Sequence, residues 1–122
     1  MAWTVEFHDA FAVEFAGFST AVQDEILALA ILLTEFGPRL ARPYADTLKN
    51  SRFANTKELR FSADGGEWRV AFAFDTRRMA ILLCAGDKSG ISEKLFYKTL
   101  IRKADERFAV HQKRVAAERR GK

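Results

Sequence analysis

The sequence predicts an α+β domain in which helices cover one antiparallel sheet. Three consecutive runs between Lys57 and Ala85 are strand-like, because apolar and polar residues alternate or the run is apolar throughout. Helical spacing of apolar residues occurs before these runs, at 9–36, and again after Gly90. With a short strand signal at residues 3–7, the predicted order is β-α-α-β-β-β-α.

The three central strands each carry their own signal. Leu59 and Phe61 alternate with polar residues, and Asp64-Gly65-Gly66 reads as a hairpin turn. The next run alternates strongly from Trp68 to Phe74, and the last is apolar from residue 79 to 85. A continuous apolar run of that length is expected for a central strand that is buried on both faces.

The helices are predicted from apolar stripes at three- and four-residue intervals. The stripe of the second helix ends at Gly37-Pro38, a sequence that stops helices. The members of this stripe are Val22, Ile26, Leu29, Leu33 and Phe36. The stripe of the C-terminal helix consists of Phe96, Leu100, Ala104 and Phe108. The first two helices are therefore expected to form a hairpin that covers the sheet.

Residues 38–56 lack periodicity and are predicted to be a loop with at most one turn of helix. The segment contains four basic residues against Asp46 alone; these are Arg39, Arg42, Lys49 and Arg52. A loop of this length inside a compact domain is usually functional or mobile.

Length and composition predict one domain over residues 1–122, with 109–122 as a basic helical or frayed tail. Apolar residues make up 48% of the chain, which is enough for a core without staples. The one cysteine, Cys84, excludes a disulfide framework and is expected to be a buried thiol. We expect no secretory signal and no membrane span, and therefore a cytoplasmic protein.

Charge is divided unevenly along the chain. Residues 1–37 contain six acidic residues and neither lysine nor arginine, whereas residues 38–122 hold all 20 basic residues against 10 acidic ones. Such a division favours a polyanion or an acidic protein as partner. The alternative is a solvated surface whose charge is merely uneven.

Arg60 and Arg69 are predicted to lie across from each other on one face of the sheet. Ala71 and Ala73 on that face would leave room above it, so that the two arginines form a shallow trough suited to a phosphate. The alternative is a structural role, in which the arginines pair with the carboxylates of Glu58, Asp75 or Asp87.

The corner after the last strand, Gly86-Asp87-Lys88-Ser89-Gly90, could present N–H groups and a cation to an anion. Tyr97 lies just beyond it and could transfer protons if nearby cations lowered its pKa; otherwise it is an amphipathic residue at the core edge. The two histidines, His8 and His111, lie at opposite ends of the chain, are expected to be structural or exposed, and exclude a zinc site of usual spacing.

The segments KELR, EWRVAFAF and LLCAGDKSG, followed by Tyr97 and Leu100, resemble in this order the RelE/ParE superfamily of bacterial toxin–antitoxin toxins. The resemblance covers Trp3 to about Phe108 and fits the HigB-like, phage-associated branch. It implies a RelE-like fold, with an N-terminal strand and helical hairpin packed on a curved antiparallel sheet and a C-terminal helix. It also implies a ribosome-dependent endoribonuclease that cuts mRNA and inhibits translation. Alternatives are a ParE-like, non-enzymatic gyrase inhibitor and a domesticated phage or regulatory protein.

The resemblance also implies roles for individual residues. In Trp68-Arg69-Val70 the arginine matches a phosphate-binding position, and the implied catalytic residues are Arg69, Lys88, Tyr97 and Arg60. Lys57, Lys94, Lys98 and Arg52 are the expected RNA contacts. No histidine lies near the corner, unlike in the HigB members that use one, so the general base stays unassigned. The implied partners are the ribosome, mRNA and a cognate antitoxin, a small helix-turn-helix protein; no metal or cofactor is expected.

Overall fold

A computed structural model describes residues 2–121; Met1 and Lys122, which the predicted domain and tail include, lie outside the described residues. Five strands and three helices follow one another along the chain. They are β1 (Thr4–Phe7), α1 (Asp9–Ala16), α2 (Thr20–Phe36), β2 (Ala45–Thr47), β3 (Thr56–Ala63), β4 (Gly66–Phe74), β5 (Met79–Asp87) and α3 (Glu93–Arg120). A 3-10 turn, Gly37–Arg39, follows α2. The predicted α+β class is confirmed.

The strands form one sheet in the order β1-β5-β4-β3-β2. β1 runs parallel to β5, and every other neighbouring pair is antiparallel. A two-residue turn joins β3 to β4, with positive φ at Asp64 (51°) and Gly65 (73°), which is the geometry of a type I′ turn. This turn sets a register in which Arg60 pairs with Arg69, as predicted.

The segment 38–56 is more ordered than predicted. Besides the 3-10 turn it contains β2, which pairs Ala45 with Leu59 and adds a fifth strand to the four expected. A strand of three residues is too short to show alternation, and for this reason the sequence pattern missed it. Tethers from Ser51 and Arg52 to Asp105 then hold the rest of the segment against α3.

Helices cover both faces of the sheet. α1 and α2 supply Phe11, Ile26 and Leu33 to a core cluster that contains Phe72 and Leu82 of the sheet. A second cluster brings α3 residues against the other face; its members include Ala71, Ala73, Leu83, Phe96, Leu100 and Ala104. The expected open space above Ala71 and Ala73 is therefore wrong, because their small side chains let α3 pack closely there.

α3 is the longest element, and its 28 residues would span about 42 Å at 1.5 Å per residue. Ser92 caps its first turn by accepting the N–H of Leu95 at 3.1 Å. The helix continues unbroken from its packed half through residues 109–120. None of the helices described is long and apolar enough to cross a membrane.

Candidate active site

A cleft of about 830 Å³ lies between the first turns of α3 and the surface made by β2, β3 and residues 48–50. Its walls carry six basic side chains: Arg42, Lys49, Arg60, Lys94, Lys98 and Arg102. Three acidic residues, Asp46, Glu58 and Glu93, also line it. Its volume is within the range of small-molecule sites, and its excess of cations suits an anionic ligand.

Glu58 is the carboxylate at the centre of this cleft. It is only 4% exposed. One carboxylate oxygen accepts a hydrogen bond from Arg60 Nη1 at 2.7 Å, and the other accepts from the Tyr97 hydroxyl at 2.8 Å. Burying a carboxylate is costly unless such donors surround it. The Glu58 carboxylate therefore lies within hydrogen-bonding distance of both a phenol and a cation.

Tyr97 differs from the expectation drawn from its sequence neighbours. Burial raises its pKa, the hydrogen bond to Glu58 and the charge of that carboxylate raise it further, and the Arg69 guanidinium opposes them in part. The predicted lowering by nearby lysines is wrong, because the hydroxyl points to Glu58. At neutral pH the phenol keeps its proton and can donate it, but it cannot serve as a base.

Arg69 is buried beside this cluster, with 4% of its surface exposed. Its Nη1 donates to the carbonyl oxygen of Trp68 at 2.8 Å, and its Nε has no hydrogen-bond partner among residues 2–121. The structural alternative weighed for the two arginines therefore describes Arg60, which pairs with Glu58. For Arg69 the described residues show no carboxylate partner.

A second cavity, of about 510 Å³, adjoins the first along the edge of β3. Arg42 and Arg60 line both cavities, and Arg69 lines the second. Arg69 is therefore a buried cation beside a cavity, and its unsatisfied Nε has almost no surface open to that cavity. An anion bound in the cavity would interact with the guanidinium through its charge.

Of the remaining predicted site residues, some line the cleft and others lie outside it. Lys94 and Lys98 line the cleft. Lys88 lies at the corner before α3, and its ammonium is 3.3 Å from Glu93. Arg52 lies over the ring of Phe53 at 5.1 Å, outside the set of cleft-lining residues.

Lys57 is on the other face of the sheet from Glu58, because adjacent strand residues point to opposite faces. Its ammonium donates to the carbonyl oxygens of Pro38 and Leu40 at 3.1 and 3.0 Å. Burial lowers its pKa. These contacts hold the segment after α2 against β3. Lys57 is therefore not among the residues that line the cleft.

The cleft residues that were absent from the predicted site include one nearly buried carboxylate and three cations; these are Glu58, Arg42, Lys49 and Arg102. Alternation could have identified Glu58, since it lies two residues before Arg60 and therefore on the same face. Arg102 continues the helical spacing of Lys94 and Lys98. Arg42 and Lys49 lie in the basic segment 38–56, whose path is set by the unpredicted strand β2.

Neither histidine lines the cleft. His8 caps α1 by accepting the N–H of Ala10 at 3.1 Å. His111 is buried, and its Nε2 is 2.9 Å from Asp75 Oδ2. Asp75 also pairs with Arg77, at 3.2 Å, so this cluster joins the β4–β5 turn to α3.

Two solved structures share the fold of this chain. A mutant of the Escherichia coli toxin RelE in the free state superimposes with a TM-score of 0.62 and 12% identity, covering 84% of this chain and 97% of that one. RelE in the archaeal RelE–RelB complex from Pyrococcus horikoshii gives 0.54 and 16%, covering 75% and 100%. The fold and the basic cleft define a small α+β domain of the RelE type, and the predicted RelE-like fold is confirmed.

The chain belongs to the family described as phage derived protein Gp49-like (DUF891), which matches residues 13–109. Two Mycobacterium tuberculosis relatives are named toxin HigB2 and toxin HigB3. HigB2 is 42% identical over 96 residues, which are 78% of this chain and 47% of that protein. HigB3 is 47% identical over 76 residues, 62% of this chain and 64% of that protein. The match thus spans less than two thirds of either relative, and the predicted membership in the HigB-like branch is confirmed.

Proposed function

We propose that this chain is the toxin of a toxin–antitoxin system and acts as a ribosome-dependent endoribonuclease that cuts mRNA and stops translation. The observation that carries the proposal is the Glu58–Tyr97 pair, which holds a proton acceptor and a proton donor together beside two arginines. The HigB names of the relatives and the RelE fold support the same function.

The cluster contains the groups that metal-independent RNA cleavage requires. The 2′-oxygen attacks the adjacent phosphorus, the bond from phosphorus to the 5′-oxygen breaks, and a 2′,3′-cyclic phosphate and a 5′-hydroxyl result. Glu58 takes the proton of the 2′-hydroxyl, and Tyr97 donates its proton to the leaving 5′-oxygen. Arg60 and Arg69 stabilise the charge that develops on the phosphate oxygens.

The other predicted cations have lesser parts in this proposal. Lys94 and Lys98 attract the RNA backbone from the rim of the cleft. Lys88 reaches the phosphate only by leaving Glu93. The ribosome orients the mRNA in the cleft, and this orientation contributes to catalysis. A cognate antitoxin, a small helix-turn-helix protein, is the proposed neutralising partner.

Induction in a bacterial host tests the nuclease proposal. The parent chain should arrest growth and create new mRNA 5′ ends inside translated codons. Glu58→Gln, which keeps the shape and removes the proton acceptor, should reduce cleavage about 100-fold or more. Glu106→Gln makes the same chemical change on an exposed turn of α3 and should behave as the parent.

If Glu58→Gln lowers the unfolding temperature, Tyr97→Phe provides a second test that separates the chemistry from the folding. A variant that folds like the parent and cleaves at the parental rate would remove Tyr97 from the mechanism. Growth arrest without new 5′ ends would contradict the nuclease proposal and favour a gyrase inhibitor.

A further inference from the structure

The basic cleft continues beyond the Glu58–Tyr97 pair as a groove. One wall is α3 from Lys98 to Arg102, and the other is residues 47–50 after β2. Arg102 lies five residues after Tyr97, which is about 7.5 Å along the helix axis. The far end of the groove is therefore about one nucleotide away from the bond-breaking cluster.

The cations of this groove are free of structural partners. Within residues 2–121, Lys49, Lys98 and Arg102 form neither an ion pair nor a side-chain hydrogen bond. Cations that hold the fold together are paired instead, as Arg107 is with Glu14 at 2.6 Å. Unpaired cations facing each other across a groove repel, and an anion between them removes that repulsion.

The floor of the groove is apolar. Leu48 is 4% exposed and belongs to the core cluster of the α3 face, and Ile101 packs against that cluster. Apolar surface between cations provides a contact for the face of a base, while the cations bind the phosphate. A polyanionic peptide would use the cations but would have less use for this floor.

The walls are fixed relative to each other. Asp105, one turn beyond Arg102, accepts hydrogen bonds from Ser51 Oγ at 2.6 Å and from the Arg52 N–H at 3.1 Å. Ser51 Oγ is also 3.0 Å from Thr56 Oγ1. The groove is therefore formed before any ligand arrives, which reduces the entropy lost on binding.

We propose that this groove is a subsite for single-stranded RNA, taking the base and phosphate of the nucleotide next to the cleaved bond. Lys49, Lys98 and Arg102 bind that phosphate, and the half-buried Ile101 contacts the base. The assignment rests on the proposed nuclease function and adds the place where the neighbouring nucleotide is held.

Binding of a single-stranded RNA oligonucleotide whose sugars are 2′-deoxy at every cleavable position tests this subsite without cleavage. The double variant Lys49→Gln/Arg102→Gln should lower affinity about 10-fold at low ionic strength. Its slope of log affinity against log salt should flatten by about 0.7, the value for one lost phosphate contact on a single strand. Arg119→Gln/Arg120→Gln removes the same charge from exposed positions at the end of α3 and should leave both quantities near the parental values.

Equal losses in the two double variants, or no binding by the parent at low ionic strength, would overturn the subsite. Binding of poly-glutamate to the groove in preference to RNA would overturn it as well and indicate an acidic peptide as ligand. If RNA binds the groove as expected but translated mRNA is never cut, the subsite stands and the proposed nuclease function fails.

Discussion

Arg69 is a buried side chain whose hydrogen-bonding groups are only partly satisfied by the fold. Its guanidinium is buried, and its Nε has no partner among residues 2–121. Leaving a buried donor unsatisfied costs about 1–3 kcal/mol. Under the proposed function, the charge of a phosphate in the second cavity would offset part of this cost, although Nε itself is closed to solvent.

Arg69→Met tests this interpretation. The variant keeps the apolar stem and removes the unsatisfied Nε together with the Nη1 hydrogen bond to the Trp68 carbonyl oxygen, so the free energy of unfolding in urea should change by no more than about 1 kcal/mol. Cleavage of ribosome-bound mRNA should fall at least 100-fold, because an electrostatic contact to the phosphate is lost. A variant that is several kcal/mol less stable would show that the guanidinium is a structural group.

Asp75 is the buried carboxylate that most directly links stability to pH. Burial by itself would raise its pKa, but hydrogen bonds from His111, from the N–H groups of Arg77 and Met79 and from the Arg77 side chain hold the pKa below the ordinary value. Because the folded-state pKa is depressed, the stability it contributes is present above the unfolded pKa, near 4, and is lost as pH falls through the folded value.

Asp75→Asn should therefore be less stable at neutral pH by about 1–3 kcal/mol and should lose less stability on acidification than the parent. Urea unfolding across a pH series measures both effects. Glu118→Gln, at the exposed end of the same cluster, is the control and should change stability by less than about 0.5 kcal/mol. Parallel pH curves for the parent and Asp75→Asn would assign the acid sensitivity to other carboxylates.

At the scale of elements, the connection after α2 depends on one glycine. Gly37 has φ 55° and ψ −135°, a conformation that is essentially restricted to glycine. A Cβ at this position would also overlap the indole of Trp3. The glycine thus allows the chain to leave α2 directly beneath the residue that precedes β1.

Gly37→Ala should lower the free energy of unfolding by about 3 kcal/mol, from backbone strain together with the clash against Trp3. Gly65→Ala is the matched control, since φ is 73° there and a Cβ would meet no atom within 4 Å. It should cost roughly 1 kcal/mol, the penalty for a left-handed residue alone. If thermal unfolding showed the same loss of stability for Gly37→Ala and Gly65→Ala, the clash with Trp3 would be relieved without a cost in free energy.

Elements were predictable from the sequence where their periodicity was long. The hairpin of β3 and β4, the apolar strand β5 and the stripes of α2 and α3 all exceed the few residues that alternation needs. β2 was not predictable, because three residues carry no period. The pairing of β1 with β5 joins residues about 75 positions apart, and single-sequence patterns do not report such contacts.

The same distinction applies to the site. The pairing of Arg60 with Arg69 follows from a two-residue turn and alternation, so the sequence alone predicts it. The contact between Tyr97 and Glu58 spans 39 residues and depends on how α3 crosses the sheet. The burial of Ala71 and Ala73 beneath α3 likewise depends on helix packing. Sequence patterns therefore located the cleft cations Arg60, Lys94 and Lys98, but they missed Glu58 and the other three cations of the cleft.

For the molecule as a whole, the uneven distribution of charge predicts how the chain would associate with the proposed antitoxin. The basic side chains of residues 39–52, Lys94 to Arg102 and the segment from Lys113 should attract an acidic part of the proposed antitoxin. The association rate measured by stopped flow should therefore fall as salt rises from low to physiological strength. Arg119→Gln/Arg120→Gln should reduce this salt dependence less than Lys49→Gln/Arg102→Gln.

A rate that is independent of salt would contradict docking on the basic side. The α1–α2 hairpin would then be the expected docking surface, because it carries acidic residues together with exposed Val13, Leu27 and Ile31. The two double variants would then associate with the antitoxin at the parental rate.

The late position of α3 in the chain has a consequence during synthesis. Glu58 and Arg60 leave the ribosome well before Tyr97. β1 cannot pair until β5, its neighbour in the sheet, has been synthesised. Nascent chains emerge in order and their long-range contacts form last. A chain cut short before Glu93 thus lacks one wall of the cleft, the phenol and the cover over Ala71 and Ala73. Interrupted translation of this protein therefore leaves the cleft incomplete, and its residues come together only after α3 has been completed.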